Sequence, residues 1–476
     1  MNSVNKADRR TFLRSGALGA GALWVGSLQE LSARRAHGEY SQGRSKKKGG
    51  GGPNAYGPPS PKPDETTGLN LLQLPEGFRY WSYSWTGDVM SDGVACPSLH
   101  DGMAVVDEWS GKDDDDDDYN GHRSSRLVLV RNHEAANGNP YVDRPAITYA
   151  NDGAGGTTNL LFDAKAGKWL EAWSSLAGTV RNCAGAVTPW GTWISQEETV
   201  IAGHGWSFEV GATKDCSTGG ATPLHDMGRF SHEASMVDPK TGYVYETEDS
   251  NDCGFYRFVP YSRGNLAQGG RLYMMSVKDQ PNADLGGNIP IGTTWDVRWV
   301  RIDDPAAMST SCFGQGSAKG GARFRRLEGA WWGDGVGYFV STDGGSVREG
   351  QLFEYDPRDE TLKLVYDSPV ANELDNPDNI VVTPRGGILF CEDAAGGVNL
   401  AAERLVGLTP EGEAFTFAIN NVNLAAAHNS RIPAGNYTSS EWAGACYSPD
   451  GRWLFANIQT PGITFAITGP WGHGPL

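Results

Sequence analysis

Between Asn182 and Glu198 the chain reads Asn-Cys-Ala-Gly-Ala-Val-Thr-Pro-Trp-Gly-Thr-Trp-Ile-Ser-Gln-Glu-Glu. A lone thiol, Cys183, sits in a Gly/Ala-rich bend, and a Pro189-Trp190-Gly191 turn leads into a short strand that ends on Glu197 and Glu198. One hairpin therefore delivers a thiol and two carboxylates, a donor set suited to a transition metal such as iron. Further acids stand in turns: Glu233 in Ser-His-Glu, Glu328 in Arg-Leu-Glu-Gly, Asp378 in Asn-Pro-Asp-Asn and Glu441 in Ser-Glu-Trp. Others close short strands: Glu134, Glu248, Asp249, Asp343, Glu392 and Asp393. Sites rich in carboxylate oxygen suit calcium, so the whole set suits a mixed site.

Such a set needs strands that end together. A turn followed by an aromatic or aliphatic strand with a polar or acidic end occurs six times, ending at Glu134, Glu198, Asp249, Asp343, Asp393 and Asn457. Neighbouring copies lie roughly 50 to 65 residues apart, and the interval between the third and fourth is longer by about 40, in a Gly-rich segment around residues 280–320. Second strands stopping at proline follow several copies, as in Phe255-Tyr-Arg-Phe-Val-Pro260. This period and turn density predict an all-β, six-bladed β-propeller, with the acidic ends gathered at one mouth of the central channel. So many carboxylates without counter-charge would raise one another's pKa values, and bound cations resolve that conflict. Arg326 and Arg131 stand out as candidate anion clamps, and His133 and His232, each preceding a Glu, as proton donors or supports for a ligand.

Composition agrees. The 476 residues include 64 Gly and 16 Trp, only 20% are charged, and the net charge of −17 offers no basic footprint for nucleic acid. Residues 1–38 read as a targeting segment with a twin-arginine pattern, Asp8-Arg-Arg-Thr-Phe-Leu-Arg14, and an apolar run too short and Gly/Ala-rich to anchor in a membrane. Residues 39–69 read as a Gly/Pro/Lys-rich linker and 70–476 as the propeller. The run Asp113 to Asp118 reads as a solvated loop tip. Seven cysteines leave at least one unpaired, with Cys216 and Cys312 as candidates for a bridge.

The motifs Arg131-Asn-His-Glu134, Asn182-Cys183 to Glu198, Ser231-His-Glu233, Thr247-Glu-Asp249, Asp375-Asn-Pro-Asp-Asn379 and Phe455-Ala-Asn-Ile-Gln-Thr-Pro-Gly462 together resemble the PhoX-type alkaline phosphatases over roughly residues 70–470. The resemblance implies a monomeric, twin-arginine-exported, periplasmic or extracellular enzyme that hydrolyses phosphate monoesters at a cluster of Fe(III) and Ca2+. By motif match, Cys183, Glu198, Glu233 and Glu328 look like iron-side ligands. Glu248 or Asp249, Asp378, Glu392 or Asp393, and Glu441 look like calcium-side ligands, Glu134 a further metal ligand, and Arg326 a contact to phosphate, with Cys183, Glu198 and Arg326 nearest the chemistry. The alternatives are a calcium-stabilised propeller that binds a ligand without turnover, and a propeller lactonase or esterase needing calcium alone.

Overall fold

The computed structural model describes residues 55–108, 126–214, 221–393 and 402–476. The expected targeting segment, most of the expected linker, the aspartate run and Cys216 lie outside the described residues. The six other cysteines, Cys312 among them, are buried and unbridged. Among the described residues no helix is long and apolar enough to cross a membrane.

Short β-branched and aromatic runs punctuated by Gly, Pro, Asn and Asp fold as strands. The chain opens with β1 (Ser60–Lys62), β2 (Leu72–Leu74) and β3 (Arg79–Tyr83). Then β4 (His100–Glu108), β5 (Arg126–His133), β6 (Gly155–Asp163) and β7 (Lys168–Thr179) form a four-stranded antiparallel sheet. The next sheet has three strands, β8 (Asn182–Val187), β9 (Thr192–Glu197) and β10 (Ser207–Gly211). β11 (His232–Val237), β12 (Val244–Glu248), β13 (Phe255–Pro260) and β14 (Gly270–Val277) follow. β15 (Thr294–Arg301) lies in the long interval and joins them to β16 (Leu327–Gly333), β17 (Val336–Ser341), β18 (Gln351–Asp356) and β19 (Thr361–Asp367) in one nine-stranded sheet, through β14–β15 and β15–β19 pairing.

β20 (Pro377–Val382), β21 (Ile388–Glu392), β22 (Arg404–Leu408) and β23 (Ala414–Asn420) carry β2 and β1 on their outer edge. After a short hairpin of β24 (Asn423–Leu424) and β25 (Gly435–Asn436), the strands β26 (Trp442–Tyr447), β27 (Leu454–Ile458) and β28 (Ile463–Thr468) take up β3 as their fourth member. The start and end of the chain thus share a sheet, which leaves no open seam. β4 packs on β8, β8 on β11, β11 on β16, β16 on β20, β20 on β26, and β26 back on β4. The arrangement is all-β and propeller-like.

Residues 55–69, expected as the tail of a linker, instead belong to this body. Tyr56 is buried edge-on against Phe78 and Phe417, and its hydroxyl donates to the carbonyl oxygens of Trp471 and Leu476. Aromatic layers fill the space between sheets, as where Phe255 stacks on Phe339 with ring centroids 4.2 Å apart.

Candidate metal centre

One hydrogen bond recurs around the ring. The N–H just beyond the second strand of a sheet donates to the carbonyl just before its first strand: Glu134 to Leu99, Glu198 to Arg181, Asp249 to Ser231, Thr342 to Arg326, Asp393 to Asn376 and Gln459 to Glu441. Two residues beyond each acceptor stand Asp101, Cys183, Glu233, Glu328, Asp378 and Ala443. The six inner strands are also interrupted at the same place, between His100/Met103, Asn182/Gly185, His232/Ser235, Leu327/Ala330, Pro377/Ile380 and Ala443/Cys446. A β-bulge re-aims the side chain it carries, and five of the six carry or abut a carboxylate or thiol.

The bulges are pinned from neighbouring sheets. Asn132 donates to the carbonyl oxygens of Cys183 (3.1 Å) and Ala184 (2.8 Å), Asn457 to that of Asp101 (2.7 Å) and Thr247 to that of Glu328 (2.7 Å). Each of these three stands two residues before the strand-end residue of its own sheet. Small residues let the inner strands crowd together. A Cβ on Gly102 would lie 2.6 Å from Ala184 Cα, and one on Gly329 2.4 Å from the Asp378 carbonyl oxygen.

Three groups of donor atoms result, each with its atoms within 4.8 Å of one another: Glu134, Cys183 and Glu198; Asp101, Glu134 and Glu441; and Glu233, Glu328 and Asp378. Glu134 belongs to two of them, and Cys183 Sγ lies 3.7 Å from Asp101 Oδ2. Gln459 Nε2 reaches Glu134 Oε2 at 2.8 Å and Asp101 Oδ2 at 3.4 Å, and also donates to Glu441. Two arginines border the groups. Arg181 pairs with Glu134 (2.7 Å) and with Glu198. Arg326 donates from Nε and Nη2 to the two oxygens of Asp249, 2.9 Å each, and from Nη2 to Glu328 at 2.8 Å. Both arginines are held at positive φ, +52° and +39°, an expense most often met at functional sites.

Burial and mutual repulsion shape the electrostatics. Burial first, and then neighbouring carboxylates, push Asp101, Glu233, Glu328 and Glu441 well above the usual range. Asp378 rises to about 8 through burial and the charges of Asp393 and Glu134. Glu198 also rises to about 8, burial outweighing the opposing pull of Arg181. Burial, Asp101 and Glu233 hold the Cys183 thiol far above its ordinary value. Neither carboxylate oxygen of Glu233 has a hydrogen-bond partner, although the residue is fully buried. Two orphaned anionic oxygens beside two further acids fit a metal cation, which supplies the missing counter-charge and ligand contacts. One group offers a thiol beside carboxylates, whereas the other two are all oxygen.

The repeat separates the paired acids. Glu198, Asp249 and Asp393 occupy the strand-end position that the recurring bond defines, whereas Glu197, Glu248 and Glu392 precede it and have other partners. Glu197 accepts from the N–H groups of Val180, Gly205 and Trp206 and from His204. Glu248 accepts from Gly254 N–H and Tyr256 O–H, and Glu392 from Asp375 N–H and the Arg404 guanidinium. The three donor groups include none of Glu248, Asp249, Glu392 and Asp393. Asp393 lies close enough to raise Asp378 and Glu441. Asp343 pairs with Arg348.

Arg131, expected as an anion clamp, is fully buried. Its two Nη groups make six hydrogen bonds, to Ser84, Cys96, His100, Thr158 and Thr464, so it braces the core and meets no ligand. His133 and His232 are buried too. His133 is bonded to Ser98 and Thr158, and His232 to Gln196 and Gly228. Burial and Arg131 hold His133 neutral.

Asp101, Arg181 and Gln459 were not singled out from sequence. The spacing of Arg181 to Cys183 repeats that of Arg326 to Glu328, a signal that could have found it. Asp101 shares the bulge position of Cys183, but no strand-end motif marks it.

A profile of the family described as alkaline phosphatase PhoX matches residues 54–171 and 164–462. Among solved structures, Pseudomonas fluorescens PhoX in complex with vanadate, a transition state analogue, aligns with a TM-score of 0.59 at 17% identity, covering 87% of this chain and 98% of that chain. XC5397 from Xanthomonas campestris, a gluconolactonase, aligns with a TM-score of 0.38 at 12% identity, covering 87% and 98%. No curated protein sequence matches the chain.

Proposed function

The chain belongs to the alkaline phosphatase PhoX family and is a phosphatase, and from that premise we propose that it hydrolyses phosphate monoesters with iron and calcium held at one mouth of a six-bladed propeller. The observation that carries the reading is Glu233, whose buried oxygens lack partners between Glu328 and Asp378 and beside the thiol-bearing group. Blade number rests on the six-membered cycle of first strands and on the six-fold recurrence of one hydrogen bond and one bulge.

Cys183, Glu198, Glu233 and Glu328 would hold the iron side. Asp101, Glu134, Asp378 and Glu441, with Asp249 and Asp393 at their edge, would hold calcium. Ions held there would supply Lewis acidity and lower the pKa of water for attack at neutral or alkaline pH. The chain's own residues do the positioning. The bulges aim the acids, and Gln459 ties three of them together. Asp249 fixes the plane of the Arg326 guanidinium, whose Nη1 donates to no described residue and would be free to meet phosphoryl oxygens as charge builds on them. The twin-arginine pattern, if used, exports the protein already folded around its ions.

The test is metal analysis of protein purified from a twin-arginine-competent host, followed by a screen of phosphate and carboxylate esters. Iron with calcium and turnover of phosphate esters support the reading. Calcium alone with carboxylate-ester turnover, or calcium with no turnover, replaces it.

A further inference from the structure

Two loops meet outside the three donor groups. One, residues 342–350, joins β17 to β18, and the other, residues 368–376, joins β19 to β20. Ser368 N–H donates to the Gly350 carbonyl (3.0 Å), and Asn376 Nδ2 to that of Thr342 (3.4 Å). Gly350, at φ +119°, lies so near Pro377 that a Cβ on it would fall 2.6 Å from the proline Cδ. The loops are locked together, and both bring acids to the junction. Asp343 and Glu349 come from the first and Asp375 from the second, and Glu392 joins them from the end of β21.

Charge balance separates the four. Arg348 Nε donates to Asp343 at 2.7 Å. Arg404 donates from Nε (2.7 Å) and Nη2 (2.6 Å) to the two oxygens of Glu392, which also accepts from Asp375 N–H. Glu349 and Asp375 are left over. Asp375 is only 4% exposed, and its buried Oδ2, like the buried Oε2 of Glu349, has no hydrogen-bond partner among the described residues. The two carboxyl groups come within hydrogen-bonding reach of each other. Burial first, then this contact and the charges of Asp375, Glu392 and Asp343, push Glu349 up to about 7. Two uncompensated carboxylates match the charge of one divalent cation, and their hard oxygens match calcium. Glu349 is only partly buried, so water can fill the remaining coordination positions from that side.

We propose that Glu349 and Asp375 clasp one calcium ion between the fourth and fifth repeats. The ion ties the two loops together and takes no part in hydrolysis, so the site stands whether or not the metal centre holds iron.

The test uses the full chain, stripped with chelator and titrated calorimetrically with calcium chloride, and elemental analysis of the protein as purified. Glu349→Gln alters the partly exposed partner alone, and Glu349→Gln/Asp375→Asn removes both charges. The expected result is one calcium per chain fewer in the double variant than in the wild type, and one calcium bound tenfold or more weakly in the single variant. Iron content and kcat on a phosphate ester stay unchanged, and the rise in melting temperature on adding calcium becomes smaller in both. The difference of one ion is read even if the donor groups of the metal centre bind no calcium, so failure of that reading shows separately. Equal calcium count and affinity in wild type and variants would overturn the proposal. So would variants that are more stable than the wild type at pH 8 with an unchanged calcium count, the signature of a shared proton in place of an ion.

Discussion

Arg326 and Asp249 are joined by two parallel hydrogen bonds, Nε to Oδ1 and Nη2 to Oδ2, each 2.9 Å. This fork fixes the guanidinium plane, and Nη2 also donates to Glu328, a member of one donor group, at 2.8 Å. Arg326→Lys keeps the charge but cannot reproduce the fork. It is expected to lower kcat/KM on an aryl phosphate about 100-fold, with metal content unchanged by elemental analysis. Asp249→Asn should lower it less, because one oxygen of the fork is kept.

Glu233→Gln removes the anion whose oxygens lack partners and leaves the volume unchanged. Bound metal per chain should fall, while the metal-free protein gains stability at alkaline pH, where the wild-type carboxyl, raised by burial and its acidic neighbours, would have to ionise. Elemental analysis and melting temperature with and without chelator check both halves.

The fold of the acids was legible from sequence where a strand end could be recognised. Glu134, Glu198, Asp249 and Asp393 all fall on the recurring hydrogen bond. Which member of the Glu248/Asp249 and Glu392/Asp393 pairs takes the strand-end position was not legible, because the choice depends on where pairing stops, and single-residue register follows from backbone geometry. Asp101 was hidden for a related reason. Its orientation comes from a bulge, which leaves no residue signature. Arg131 misled because an isolated arginine in an acidic chain reads as exposed, whereas the neutral acceptors that bury it come from strands far away in sequence.

Arg131→Met should therefore destabilise the protein by about 2 kcal/mol, since it strands several buried acceptors. Chemical denaturation of the chelated protein measures this. The prediction includes unchanged KM for a phosphate ester at temperatures where the variant is folded.

Glu198 and Asp378 are raised from 4.5 and 3.8 to about 8, chiefly by burial. A carboxyl whose folded pKa exceeds its unfolded one contributes stability below the unfolded value and loses it as pH rises through the folded value. The melting temperature of chelated protein should accordingly fall as pH rises from about 5 to about 9. Adding calcium and iron should flatten that slope, because a cation favours the ionised carboxylates.

The most direct test of the central claim is Cys183→Ala, with iron content, visible absorbance and phosphate-ester turnover measured on the same preparation. The account predicts that iron falls, that thiolate-to-iron absorbance disappears and that turnover is lost, with calcium retained in part through the all-oxygen groups. Wild-type iron content and turnover in Cys183→Ala would contradict it.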